Sequence, residues 1–129
     1  MEWIIRELIP GDHIRVKRPL YYHHGIYVGE GKVIHYSGKD GDSVERPELV
    51  EVIESDMDFF LQNGIAEVAK PSMKESLYCR SKKECVKLAK EALGRRGYNF
   101  LHNNCETLAN ECAYRTTLTS QIEEIKRTL

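Results

Sequence analysis

Between residues 24 and 36, two β-rich runs, His24-Gly25-Ile26-Tyr27-Val28 and Lys32-Val33-Ile34-His35-Tyr36, are separated only by Gly29-Glu30-Gly31. A connection this short, with glycines that tolerate positive φ, leaves the chain little choice but to turn back on itself as an antiparallel hairpin. The hairpin returns the outer ends of its strands to each other, so His23 and His35 become candidate neighbours across the ladder. Upstream, Pro10-Gly11-Asp12 is a turn leading into His13-Ile14-Arg15-Val16-Lys17-Arg18, whose apolar and polar residues alternate as on a half-buried strand that Pro19 should end. Downstream, Lys39-Asp40-Gly41-Asp42 reads as a polar loop and residues 49–53 as a strand. Residues 56–63 read as one or two helical turns closed by Gly64, and residues 65–69 as a further strand.

The second half changes period from two to 3.6. Ser81 with Glu84 forms a capping box; Cys85, Ala89, Ala92 and Leu93 share one face; Gly94 supplies a stop. Another helix is predicted from about Asn104 to about Tyr114, capped by Asn103 or Asn104, with Cys105, Leu108, Ala109 and Cys112 recurring at helical spacing. A last amphipathic stretch opens with Ser120 and Glu123 and places Ile122, Ile125 and Leu129 on one side. Strands therefore come first and helices after. No repeat or linker divides the chain, and residues 1–129 have the length of one domain.

Charge and cysteine usage narrow the function classes. The net charge of −1 comes from 19 basic and 20 acidic side chains mixed along the chain, which leaves no field to attract a phosphate backbone, so nucleic acid is not an expected partner. Met1-Glu2-Trp3-Ile4-Ile5-Arg6 lacks the basic start and apolar core of a signal peptide. No window approaches the roughly eighteen apolar residues of a membrane span. A cytoplasmic location is the expectation, and Cys79, Cys85, Cys105 and Cys112 are then thiols rather than two disulfides. Their spacing does not fit Cys-x2-Cys metal patterns, so neither metal nor cofactor is expected. Lys82, Lys83, Lys87, Lys90, Arg95 and Arg96 would suit peripheral contact with an anionic membrane, although a solvated helix face accounts for them equally well.

A thiol becomes an effective nucleophile as thiolate, which the unpaired N–H groups and dipole of a helix N-terminus stabilise. Asn104-Cys105 places a thiol there, on the apolar face that should meet a sheet. Cysteine hydrolases and acyltransferases combine such a thiol with an imidazole and a third polar group that holds the imidazole. His23 can supply the base and His35 the orienting group, with backbone N–H groups near the start of the Cys105 helix as oxyanion donors. His24 should point to the opposite sheet face from His23. Cys112 and Cys85 read as core, Cys79 as a loop residue, and His13 and His102 as surface residues.

The ordered set Pro10-Gly11-Asp12, Tyr22-His23-His24-Gly25-Ile26-Tyr27-Val28-Gly29-Glu30-Gly31, Val33-Ile34-His35 and Asn104-Cys105-Glu106 resembles the lecithin:retinol acyltransferase-like family and its phospholipase/acyltransferase relatives. Arg96-Gly97-Tyr98-Asn99-Phe100 also looks like the family's lead-in to its cysteine. The resemblance spans nearly the whole chain. It implies an α+β fold, a small antiparallel sheet packed on helices like a circularly permuted papain-type domain of the NlpC kind. It also implies a covalent thioester on Cys105, with His23 as base and His35 as orienting residue, in an enzyme that moves a fatty acyl group from a lipid to water, an amine or an alcohol. Two features depart from the pattern: Thr107-Leu108 stands where the family has His-Phe, and residues 1–129 contain no apolar segment like the C-terminal anchor of vertebrate members. An amide or peptide hydrolase built from the same parts, and a non-catalytic binding module of the same fold, are the alternative readings.

Overall fold

The computed structural model describes residues 1–38, 47–98 and 104–115. Six strands form one sheet: β1 (Glu2–Ile4), β2 (His13–Lys17), β3 (Tyr22–Gly29), β4 (Lys32–Ser37), β5 (Glu51–Asp56) and β6 (Glu67–Lys70), in the spatial order β1-β6-β2-β3-β4-β5 with every pair antiparallel. Helices α1 (Met57–Leu61), α2 (Met73–Ser76), α3 (Lys82–Glu91) and α4 (Cys105–Ala113) complete an α+β architecture. The expected polar loop at Lys39-Asp40-Gly41-Asp42, the amphipathic stretch from Ser120, and His102 and Asn103 lie outside the described residues.

The hairpin forms as the Gly29-Glu30-Gly31 signal requires, with positive φ at Gly29, Glu30 and Gly31 between β3 and β4. Strand β2 ends one residue earlier than expected, because the Arg18 amide turns to bond the Tyr21 carbonyl. At Pro47–Leu49 a 3-10 turn replaces the predicted start of the next strand, which begins at Glu51. Gly64 does not close α1: Gln62 and Asn63 take the left-handed conformation instead. Gly64 serves close packing, since a Cβ there would lie 2.5 Å from a Val16 methyl.

Four features went unpredicted or changed. Strand β1 pairs with β6, a contact whose partners lie more than sixty residues apart and which no local pattern announces. Helix α2 carries a complete capping box of Ser72 and Glu75, a signal present in the sequence. At α3, Ser81 caps the Glu84 amide, but the Glu84 carboxylate is turned to Arg80 at 3.2 Å. Leu93, expected on the core face of α3, is 43% exposed, because the helix has already given way at its Ala92 cap to the Gly94 turn that bonds the Val52 carbonyl.

Two apolar layers sandwich the sheet. On one face α3 and α4 cover Ile26, Ile34, Tyr36, Val50 and Val52 with Cys85, Ala89, Leu108, Ala109 and Cys112. On the other, Phe60 of α1 packs with Ile14, Val16, Val33 and Val68. Full burial of each Val, Leu, Ile or Phe side chain in these layers contributes about 1.5–3 kcal/mol. The Pro10-Gly11-Asp12 turn is tied to both strand and helix: Gly11 N–H donates to Tyr27, and fully buried Asp12 accepts from Arg6, Lys82 and the Ile9 amide.

Candidate active site

Strands β3 and β4 pair through Gly29–Lys32, Tyr27–Val33 and Ile26–Ile34. Toward the other end, β3 keeps its partner β2 as far as His23–Val16 and Tyr22–Lys17, while β4 keeps β5 as far as Ser37–Glu51. The seam between these two ladders carries the imidazoles. His23 Nε2 and His35 Nδ1 are hydrogen-bonded at 2.9 Å, and His35 Nε2 lies 2.8 Å from the Ser55 hydroxyl on β5. Both rings are buried, 2% and 1% exposed, and Phe60 packs against each at centroid distances of 5.1 and 5.0 Å. Gly25 makes this possible, since a Cβ there would stand 2.9 Å from the Phe60 ring and 2.8 Å from Val33.

Cys105 opens α4, and Asn104 caps that helix by accepting from the Thr107 amide at 3.0 Å. The core face of α4, through Leu108, Ala109 and Cys112, packs with Ile26, Ile34 and Tyr36. This packing sets the height of the helix start over the sheet. The Cys105 thiol, in a residue 5% exposed, donates to the carbonyl of Tyr22 at 3.9 Å. Tyr22 immediately precedes His23 on β3. Thus the hairpin brings the two predicted imidazoles into direct contact, and helix packing brings the predicted thiol to the strand residue next to one of them.

The other cysteines occupy different environments. Burial pushes the Cys85 thiol up to about 12 and that of Cys112 up to about 11, and both sit within the core as expected. Cys79 is half-buried beside a bridge between its backbone and Tyr114. His24 does point to the opposite face from His23. There it meets His13, which is buried and not the surface residue its sequence context suggests. His13 Nε2 lies 2.8 Å from His24 Nδ1, and Trp3 from the unpredicted β1 stacks edge-on against both rings. Burial, with help from the Arg15 charge, lowers His24 to about 4, and burial lowers His13 well below its ordinary value.

A cavity of about 430 Å³ lies on the Phe60 side of the sheet, lined by Ser37, Gly38, Leu49, Glu51, Ile53, Ser55 and Phe59. Ile53 is directly opposite His35 in the β4–β5 register, so the cavity adjoins the imidazole pair. Ser55, which links cavity and imidazoles, was not singled out by sequence; it lies beyond the strand expected at 49–53, which in the structure continues to Asp56.

Much of the basic cluster is matched by carboxylates: Lys82 with Asp12, Arg95 with Glu111 at 2.8 Å, and Arg96 with Glu51 at 3.7 Å. Among the described residues no helix is long and apolar enough to cross a membrane, and no group of three or more His, Cys, Asp or Glu is arranged to hold a metal.

Comparison with known proteins gives a match to the family model described as lecithin retinol acyltransferase over residues 6–117. Phospholipase A and acyltransferase 3 of Homo sapiens is 26% identical over 94% of this chain and 80% of the relative, as is its Pongo abelii counterpart. Lecithin retinol acyltransferase of Rattus norvegicus is 24% identical over 97% of this chain and 62% of the relative.

Proposed function

The chain belongs to the lecithin retinol acyltransferase family, and from that premise we propose that it cleaves or transfers the acyl group of a lipid ester, with Cys105 as nucleophile, His23 as general base and His35 as the residue that orients His23. The observation that carries the reading is the 2.9 Å bond between His23 and His35 at the strand end where the Cys105 sulfur approaches the Tyr22 carbonyl.

The division of labour follows from which ring atoms are engaged. His23 Nε2 is committed to His35, so proton exchange with the thiol falls to His23 Nδ1. The thiol proton moves to Nδ1, and the sulfur attacks the ester carbonyl carbon. The tetrahedral oxyanion is met by backbone N–H at the start of α4, where the helix dipole favours negative charge. Collapse breaks the acyl C–O bond, and the leaving alkoxide takes the proton back from Nδ1, leaving a thioester on Cys105. His23 then deprotonates water, an alcohol or an amine, which attacks the thioester; the acyl group leaves on the acceptor, and the sulfur recovers its proton.

The cavity beside His35 supports an acyl-chain substrate, because Leu49, Ile53 and Phe59 supply apolar walls next to the reacting end of the sheet. Placing both imidazoles before the thiol along the chain fits a permuted papain-like site within one domain spanning residues 1–129. No disulfide joins the four cysteines, which suits a reducing cytoplasmic compartment, and the exposed lysines of α3 suit peripheral contact with an anionic lipid surface.

The test is incubation of the protein and its Cys105→Ala variant with phospholipid and activated-ester substrates, followed by mass measurement of the intact protein. An acyl adduct on the parent, absent from the variant together with turnover, is expected. Equal turnover in the variant without an adduct overturns the reading.

A further inference from the structure

We propose that the Ser55 hydroxyl sets the tautomers of both imidazoles and is thereby a positioning residue for acyl transfer; the inference rests on the roles proposed above for Cys105, His23 and His35. The hydroxyl donates its single hydrogen to the carbonyl of Asp56 at 3.0 Å. Having spent that hydrogen, Ser55 can meet His35 Nε2, 2.8 Å away, only as an acceptor, so His35 carries its proton on Nε2. The Nδ1 of His35 is then a lone pair, and the 2.9 Å bond to His23 Nε2 must be donated by His23. With its hydrogen on Nε2, neutral His23 has its lone pair on Nδ1, the form that accepts a thiol proton.

The opposite hydroxyl orientation propagates the opposite outcome. A hydrogen donated by Ser55 to His35 Nε2 would put the His35 proton on Nδ1, where it would point at His23 Nε2 and drive the His23 proton onto Nδ1. The base would face the thiol with a hydrogen instead of a lone pair. What decides between the two is the Asp56 carbonyl, and its direction is fixed twice. Asp56 pairs with Lys32 at the end of β5, and its side chain caps α1 by accepting from the Phe59 amide at 2.8 Å. The same helix carries Phe60, which packs on both rings and limits their rotation. The arrangement also serves the charged state. When His23 takes the thiol proton, Nε2–H still donates to a neutral His35 whose acceptor lone pair Ser55 keeps in place, and an outer hydrogen bond of this kind raises the basicity of the inner ring.

The tautomers can be read on the unmodified protein by long-range proton–nitrogen NMR of the histidine side chains near neutral pH. Nε2–H at both His23 and His35 is expected, and a neutral ring with its hydrogen on Nδ1 at either position overturns the proposal. Substitution supplies the second readout. Ser55→Ala should lower kcat by about 10- to 100-fold with little change in KM, by analogy with the outer partners that orient metal-ligating histidines. The pH at which the reactive sulfur ionises should move up, and Ser55→Thr, which keeps the hydroxyl, should restore both. A Ser55→Ala variant with unchanged kcat and an unchanged pH profile sinks the idea. Should Ser55→Ala not fold, the NMR measurement on the parent still decides. Full turnover in Cys105→Ala would remove the proposed reaction, whereas the tautomer measurement stands or falls independently of it.

Discussion

The Nε2 of His23 stands 2.9 Å from the Nδ1 of His35 on two strands whose mutual backbone pairing, among the described residues, stops at Ile26 opposite Ile34. Beyond that point each strand follows its outer neighbour, β3 with β2 and β4 with β5, and a side-chain bond closes the seam. The start of α4 packs at this same end of β3. A site assembled across a seam draws its thiol and imidazoles from different layers of the fold.

If His23 is the proton carrier, His23→Gln should reduce kcat/KM for an activated ester by about 100- to 10,000-fold, the usual contribution of a positioned acid–base group. Far-ultraviolet circular dichroism should stay superimposable. A loss smaller than tenfold in a folded variant would show that another group exchanges the proton.

Among the cysteines of α3 and α4, thiol chemistry should be confined to Cys105. Burial holds Cys85 at about 12 and Cys112 at about 11, and both are enclosed by core side chains, so they remain protonated and inaccessible near neutral pH. Brief alkylation with iodoacetamide followed by peptide mapping should find Cys105 modified well before either. Comparable labelling of Cys112 would contradict the packing of α4.

Gly25 is kept small by what lies above it rather than by backbone conformation. Gly25→Ala would push a Cβ to 2.9 Å from the Phe60 ring and 2.8 Å from Val33, a crowding expected to cost about 1–3 kcal/mol in thermal or denaturant unfolding. Activity should fall further than stability, because Phe60 is the wall against which both imidazoles rest. An Ala variant as stable and as active as the parent would show that the wall yields freely.

The buried pair His13 and His24 should make stability depend on acid. Burial holds His24 at about 4 and His13 well below normal, whereas both return toward about 6.5 when the chain unfolds. Between those limits the unfolded chain binds more protons, so stability is complete above about 6.5 and declines as pH falls toward about 4, by at most about 1.4 kcal/mol per pH unit for each ring. Trp3, the chain's single tryptophan, lies with its ring centroid 5.0 Å from that of His13 and 5.7 Å from that of His24, so its fluorescence should report their protonation. Denaturation midpoints independent of pH across that window would show that these rings are not held neutral.

The cavity beside His35 predicts chain-length selectivity. Ile53→Asp places a charge opposite His35 on an apolar wall and should depress kcat/KM for long-chain esters by at least about tenfold more than for a butanoyl ester, since each buried methylene is worth about 0.8 kcal/mol. Parallel losses on both substrates would place the acyl chain elsewhere.

By itself the sequence determined the elements governed by neighbouring residues: the hairpin forced by Gly29-Glu30-Gly31, the Asn104 cap with Cys105 directly after it, the Ser72–Glu75 cap, and the twelve-residue interval that lets His23 and His35 meet. Such features depend on backbone dihedrals, caps and strand period, all of which act over a few residues. Tertiary structure alone decided that β1 pairs with β6 and carries Trp3 to the His13–His24 pair, which buries a histidine that looked like a surface residue. It also decided that Ser55, twenty positions from His35, supplies the hydroxyl on which that ring closes. Burial and side-chain bonding at those positions depend on which distant segments the sheet order brings together, and no local pattern encodes that order.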